Sequence, residues 1–394
     1  MDRGEALTAL AALLACGVSR PAGSSVPQRP ALSRGMIDVL DYGAKGDGVA
    51  DDSEAIQAAH DAGPGILFFP AGTYKVTRTV RVTKTTIIQG AGSSMNFKGF
   101  LGYNPVTKLL WDGPEKGEML KVFRVNGGGI RDIALDGNGR AATGICAEGM
   151  QHATWENVSV DRTAAGSVND AAIVLHGGAD PYQNNVMFCR FANIGLTNVA
   201  KGWLLTSRHR DTDVSLNVYQ GLWVSFVGDY ALRVEAGDNN DFINFYQNRL
   251  SGNGNAIELT EPTDVLFGAR YNYFYHPQGN DAPVVVDTPY VNLAFACDHS
   301  NGMPNPTGKH PENLSQIGTS GGDIGVKGSV AVESGSGFVV GALQVVGSRR
   351  TGWSAATGRG TRTSFDTSRV TLLQLAERVK ALIDDLSSHG LIGP

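Results

Sequence analysis

Residues 37–76 read IDVLDYGAKGDGVADDSEAIQAAHDAGPGILFFPAGTYKV, and this stretch decides the fold. Its opening, Asp41-Tyr42-Gly43-Ala44-Lys45-Gly46-Asp47-Gly48, is a glycine-rich turn cluster with neither a helical nor a strand period. Asp51 and Glu54 stand at capping-box spacing and predict a short helix over residues 53–60, which Gly63-Pro64-Gly65 stops. Ile66-Leu67-Phe68-Phe69 reads as a fully buried strand, and Pro70-Ala71-Gly72-Thr73 as a turn into residues 74–77. A short amphipathic helix and one buried strand do not make a core by themselves. They suit the capped end of a solenoid, where a lid covers the first apolar rung.

Beyond residue 79 the helical period disappears until the C-terminal tail, and one shape recurs: a small residue, then alternating apolar positions. It is seen in Gly144-Ile145-Cys146-Ala147-Glu148, Ala172-Ile173-Val174-Leu175-His176 and Gly202-Trp203-Leu204-Leu205-Thr206. It continues in Ala231-Leu232-Arg233-Val234-Glu235, Ala256-Ile257-Glu258-Leu259-Thr260 and Pro283-Val284-Val285-Val286-Asp287. The separation, roughly 25–30 residues, is a solenoid period. Second strands, often near an Asn, are expected at 155–160, 186–191, 216–224 and 242–250. The pattern predicts a β-helix. In its first strand Ile145, Ile173, Trp203, Leu232, Ile257 and Val284 stack inward, beside Ala147, Leu175, Leu205, Val234, Leu259 and Val286. Two outward columns follow by alternation. One is Cys146, Val174, Leu204, Arg233, Glu258 and Val285; the other is Glu148, His176, Thr206, Glu235, Thr260 and Asp287.

The segments DYGAKGDGVADDSEAIQAA and ILFFPAGTYKV resemble the opening motif of the pectate-lyase-like superfamily of right-handed parallel β-helices. That group includes polysaccharide lyases, polygalacturonases and phage tailspikes. The resemblance implies an all-β chain: a single-stranded right-handed parallel β-helix with an N-terminal helical cap. It does not imply a reaction, because this motif builds the lid and not the active site. The better-marked sites of the superfamily are absent: there is no Asn-Thr-Asp, Gly-His-Gly or Arg-Ile-Lys set, and no Arg-x-Pro-x-x-Arg with a calcium-binding Asp cluster.

Composition agrees with a large ordered body rich in turns. The chain has 394 residues with 51 Gly, 42% apolar residues and only 18% charged ones. A net charge of −5 argues against a nucleic-acid partner. It also disfavours a polyanionic glycan unless Lys and Arg cluster locally. No P-loop, dinucleotide fingerprint or zinc spacing appears, so neither cofactor nor metal is expected. Cys146, Cys189 and Cys297 read as inert core or wall residues.

The ends differ from the body, and the reading divides the chain into 1–35, 36–310, 311–350 and 351–394. Residues 1–35 are a leader and linker. The run ending Leu13-Leu14-Ala15-Cys16 resembles a bacterial lipoprotein cleavage box, which implies a secreted or outer-membrane lipoprotein anchored through Cys16; a plain leader before Met36 is the alternative. Residues 36–310 are the β-helix and 311–350 a C-terminal β segment. Residues 351–394 are a tail with Trp353 as its large apolar anchor and a helix over 371–388. In that helix Leu372, Leu375, Val379, Leu382 and Leu386 fall three and four apart, an a/d seam that would either pack on the protein's own body or join protomers, most naturally as a homotrimer. The ending GWSAATGRGTRTSFDTS…LAERVKALIDDLSSHGLIG resembles C-terminal tails of phage and gene-transfer-particle virion proteins. That implies a virion spike or fibre in contact with other virion proteins and with a bacterial cell-surface polysaccharide. The rival reading is an exported polysaccharide hydrolase or lyase.

Candidate chemistry sits on the outward columns. Consecutive coils lie about 4.8 Å apart, so Arg233 should meet Glu258, and Glu148 should meet His176. These contacts read either as a solvated ladder of ion pairs or as a glycoside hydrolase site, with Glu235 and Glu258 as acid and base, Arg233 tuning one of them and Asp238 or Asp241 able to replace a partner. Asp211 and Asp213 offer a further substitute. Sugar contacts are expected from His176, Arg233 and the patch Tyr271-Asn272-Tyr273-Phe274-Tyr275, while the outward apolar trio Cys146, Val174 and Leu204 implies a covered flank.

Overall fold

The structure is a computed structural model that describes residues 35–94, 105–178, 185–207, 209, 211–248, 255–260, 268–275, 278–279, 284–296, 306–320, 323–327, 338–340, 343–346, 351–389 and 391–392. The expected leader with Cys16, and Cys297, lie outside the described residues.

A 3-10 turn, Val39–Tyr42, and the helix Ser53–Asp61 form the lid. Val39, Ile56 and Ala59 enter the same core as Leu67 and Phe69 of the strand Gly65–Phe69. The cap differs from the expected capping box. The N-cap is Asp52, and its carboxylate turns back to accept from the amides of Lys45 and Gly46 at 2.6 and 3.1 Å. Asp51 instead accepts from the Ser53 amide and hydroxyl at 3.1 and 2.6 Å. The adjacent carboxylates thus divide the work: one closes the glycine-rich turn and the other holds the first helical turn. Part of that turn cluster is itself extended, since Asp47–Asp51 pairs with Gly72–Val76.

The body is a parallel β-helix in which every coil repeats the register of the one before. On its first face Thr143–Gln151, Ile173–Gly177, Trp203–Ser207, Tyr230–Val234, Asn255–Leu259 and Val284–Val286 pair in sequence. Ile145, Ile173, Trp203, Leu232, Ile257 and Val284 stand in one column, as the alternation predicts, and all are buried. A second face consists of two-residue strands, Val186–Met187, Val214–Ser215 and Gly237–Asp238. The third face carries the long strands Gly129–Asp136, Thr154–Asp161, Arg190–Thr197, Val218–Ser225 and Asp241–Asn248. The run expected as one strand at 186–191 is therefore a short strand, a corner containing Cys189, and the start of the next strand. Burial pushes the Cys189 thiol up to about 12, which leaves it inert as a nucleophile.

Two internal stacks hold the coils in register. Phe191, Tyr219, Phe242 and Phe274 stack face to face with ring centroids 4.8, 4.4 and 4.8 Å apart, capped edge-on by Trp155 at 5.1 Å. At the corner before the third face, Asn217, Asn240, Asn272 and Asn292 form a buried ladder. Each side-chain amide donates to the carbonyl oxygen of the next, at 3.1, 3.0 and 3.0 Å. The ladder satisfies corner groups that no strand can reach. The strand Leu314–Ser320 extends the parallel sheet, and Asp323–Lys327 turns back antiparallel on it.

The chain divides into two compact units, one ending at Lys327 and the other spanning Gly328–Pro394. The second contains a hairpin, Phe338–Val340 with Leu343–Val346, and the helix Leu372–Ser388. Thr371 and Gln374 make a reciprocal capping box on that helix. Trp353, expected as an anchor, is about half exposed.

Asn240 accepts from the amide and side chain of Asn217 and donates to the Val214 carbonyl and to Asn272. Asn240→Ala should lower unfolding free energy by about 2–4 kcal/mol, because buried partners lose their hydrogen bonds. Urea or thermal denaturation measures this, and an unchanged midpoint would count against the ladder as a stabilising element.

Candidate functional site

On the outer side of the first face the expected pairs form. Arg233 donates through Nε to Glu258, and its guanidinium lies over the Tyr230 ring, 4.1 Å from the centroid. Burial opposes charge on Arg233, but the hydrogen bond and charge of Glu258 outweigh it and hold the guanidinium above its ordinary value. Glu148 lies 3.5 Å from His176 Nε2 and 3.4 Å from Lys121 Nζ. Thr206 donates to Glu235 at 2.7 Å.

Burial changes what these residues can do. His176, expected to touch sugar, is 1% exposed, with Nδ1 2.9 Å from the Gly177 carbonyl oxygen; it is a wall residue. Glu258 is 6% exposed, so its carboxylate is poorly placed to reach substrate. Cys146, Val174 and Leu204 form a small external core with Ala171, which explains the covered flank. Glu235 and Glu258 are diagonal neighbours on adjacent coils, about 7–8 Å apart at Cα, and each is held by a different group.

A second carboxylate pair lies where the first face turns into the second. Asp213 precedes the strand Val214–Ser215, and Ser215 is in register with Asp238 on the next coil. Ser215 donates to Asp213 Oδ1 at 2.9 Å, and Asp238 Oδ2 lies 2.7 Å from Arg270 Nη2. Burial, reinforced by the charge of Asp238, pushes Asp213 above its ordinary value against the Ser215 hydrogen bond and the charge of Arg270. The two carboxyls therefore sit in contrasting environments: one shielded, the other bound to a guanidinium. Asp241 does not join them. Asn240 points inward between Asp238 and Asp241, which sends Asp241 to the third face, in register with Tyr273. There burial raises Asp241, and burial together with the charges of Asp241 and Tyr273 raises Tyr275.

The tyrosine patch is divided by the same alternation. Asn272 belongs to the internal ladder and Phe274 to the aromatic stack, while Tyr273 and Tyr275 face outward and Tyr271 occupies the corner beside Arg270. That corner passes through the left-handed region at His152, Phe188, Leu216, Asn239 and Tyr271, with φ of 53, 56, 56, 51 and 51°. Phe188, Leu216 and Tyr271 are each close to half exposed, and Phe188 stacks on His152 at 5.2 Å. Bulky residues rarely adopt this conformation, so their presence points to a role outside folding.

A groove of about 640 Å³ runs along the third face. Its floor is the kink of each long strand, where Asp132, Asn157, Asn193, Gly221 and Asn244 have φ of 55, 53, 53, 65 and 56°. Asn157 donates to Asp132 at 2.9 Å and Asn193 to Asn157 at 3.3 Å, while Gln89 donates to the other Asp132 oxygen at 2.8 Å. Gly92, Ser93 and Ser94 wall one side, and Trp223 stacked on Tyr246 at 3.7 Å walls another. The available signal was an Asn, Asp or Gly inside each apolar strand. Among the described residues no cluster of three or more His, Cys, Asp or Glu is arranged to hold a metal ion.

Comparison with known proteins bears on the fold. Residues 36–213 match a family described as rhamnogalacturonase A/epimerase, pectate lyase-like. A mannuronan C5-epimerase of Azotobacter vinelandii, AlgE5, is 34% identical over 116 residues, 26% of this chain and 11% of that protein. The pre-neck appendage protein of Bacillus phage phi29 is 34% identical over 150 residues, 36% of this chain and 16% of that protein. The chain thus spans less than a fifth of either relative. The solved structure of Geobacillus virus E2 ORF18 superimposes with a TM-score of 0.51 at 16% identity, covering 74% of this chain and 63% of that one. The fold is a right-handed parallel β-helix, and the family match spans less than half of the chain.

Asp213 gives a prediction free of any assumption about function. Its raised value means that the ionised carboxyl destabilises the folded state once pH exceeds its unfolded value near ~3.9. Asp213→Asn, which can still accept from Ser215, should melt with the wild type at pH 3 and at higher temperature than the wild type at pH 7. Equal melting at both pH values would contradict the burial described.

Proposed function

We propose that this protein is a virion spike that binds a bacterial surface polysaccharide and hydrolyses it at the Asp213–Asp238 corner. The observation that carries the reading is this pair of carboxyls on adjacent coils, one shielded and the other held by Arg270. Asp213 is the proton donor to the glycosidic oxygen. Asp238 takes a proton from the water that attacks the anomeric carbon as the glycosidic C–O bond breaks. Solvent exchange then returns each carboxyl to its starting state. On adjacent coils, with Ser215 directly opposite Asp238, the two carboxyls stand off register, an arrangement in which a water between them would invert the anomeric centre. Tyr271 and Phe188 supply exposed ring surface beside the pair, and Arg233 with Glu258 holds the adjoining wall. The phage appendage relative supports a virion context, and the epimerase relative supports chemistry on a polysaccharide.

The tail supports assembly. Leu372 and Leu382 are 84% and 57% exposed, with Leu375 and Val379 close to half exposed and Leu386 half-buried on the same helix. Within the described residues this seam faces no partner helix, and association of copies, most simply a homotrimer, would cover it. Sedimentation should give a trimer for the wild type and a smaller species for Leu382→Asp; a monomer in both would remove the seam from the argument.

Asp213→Asn and Asp238→Asn should each slow glycan shortening by at least about a hundredfold while leaving binding intact. The first products should have an inverted anomeric configuration and no 4,5-unsaturated end. Full activity in both variants would sink this assignment, and unsaturated ends would replace hydrolysis with elimination.

A further inference from the structure

The outer side of the third face carries a feature that its backbone does not require. Asn, Asp or Gly at the strand kinks is what the left-handed conformation selects. The outward position beyond each kink carries no such demand. It holds Ala134, Ser159 and Gly195 in the earlier coils and Trp223 and Tyr246 in the later ones, all in one register column. The Trp223–Tyr246 stack is only partly buried and contributes nothing to the internal core. It stands beside side-chain amides that repeat about every 4.8 Å along the axis, a spacing close to the length of one pyranose ring.

We propose that this groove is a second glycan site, separate from the carboxylate corner, that holds an uncharged linear polysaccharide lengthwise. The aromatic pair is its platform. The Asn157, Asn193 and Asn244 amides meet sugar hydroxyls, since an amide, like a hydroxyl, both donates and accepts. Absence of charge in the ligand follows from the lining. Among the described lining residues there is no Lys or Arg, and the one carboxylate, Asp132, already accepts from Gln89 and Asn157. A polyuronate would bring a carboxylate on every sugar toward Asp132, in a chain whose net charge is already −5. The inference takes only its ligand class from the proposed function and makes no use of Asp213 or Asp238.

Trp223 is also a convenient reporter. The chain has 5 Trp; Trp111, Trp155 and Trp203 are fully buried and Trp353 is exposed. In a Trp353→Phe background, the full chain would be titrated with neutral dextran, mannan and galactan oligosaccharides and, in parallel, with oligomannuronate. A saturable change in tryptophan emission is expected with at least one neutral probe and not with oligomannuronate. Asn193→Asp, which tolerates the left-handed backbone, should weaken that probe at least tenfold without lowering the melting temperature, and Tyr246→Ala should do the same. Asp213→Asn should leave the titration unchanged. The proposal is overturned by a response to oligomannuronate alone, by neutral binding that both groove variants leave intact, or by silence with every probe. Emission that shifts only on self-association also overturns it, because a second copy then covers the groove. Glycan cleavage with a silent Trp223 removes the groove alone; absence of both cleavage and binding removes the proposed function with it.

Discussion

Everything in the body of this protein depends on one constraint: parallel backbone pairing that repeats the same register from coil to coil. Because each residue hydrogen-bonds above its counterpart in the previous coil, a side chain's neighbours are those at the same position one coil away. Columns, not local motifs, are therefore the units of structure. The stack Phe191, Tyr219, Phe242, Phe274 is one column, and the Asn217, Asn240, Asn272, Asn292 ladder is another. Each is a row of weak contacts made strong by repetition, and each holds the register that generates it.

The corners are where the chain departs from this regularity and where the candidate sites lie. A parallel coil closes only if some residues leave the extended region, and left-handed residues do this on several edges, among them Arg162, Asn198 and Phe226 at the end of the third face. On the third face the kink residues are the ones that backbone favours, Asp132, Asn157, Asn193, Gly221 and Asn244. At the edge beside Arg270 they include Phe188, Leu216 and Tyr271, which fold less readily into the same shape. The contrast separates a corner shaped by backbone need from one that tolerates strain to display apolar surface next to Asp213 and Asp238.

Burial decides between residues that look equivalent in a column. Glu235 and Glu258 alternate like Asp213 and Asp238, yet Glu258 is buried against Arg233, whose guanidinium lies over the Tyr230 ring. His176 has the composition of a surface ligand and the position of a wall. Burial pushes the Asp213 carboxyl above its ordinary value, the charge of Asp238 adding to it.

The sequence by itself determined the lid, the coil period and the sides of the first strand. These depend on local capping residues and on alternation with period two, and both are written in neighbouring positions. It also determined the tail helix and its leucine seam, because a period of three and four survives without context. What only the tertiary structure decided was depth and company. His176 proved buried, Asp241 was carried to a different face from Asp238, and Asp213 was brought onto Asp238 from the previous coil. The groove under Trp223 and Tyr246 emerged from kinks in successive strands. The physical reason is the same in each case. Contacts in a β-helix form between residues a whole coil apart, and the length and path of the intervening loops, which no local pattern encodes, set which of them meet.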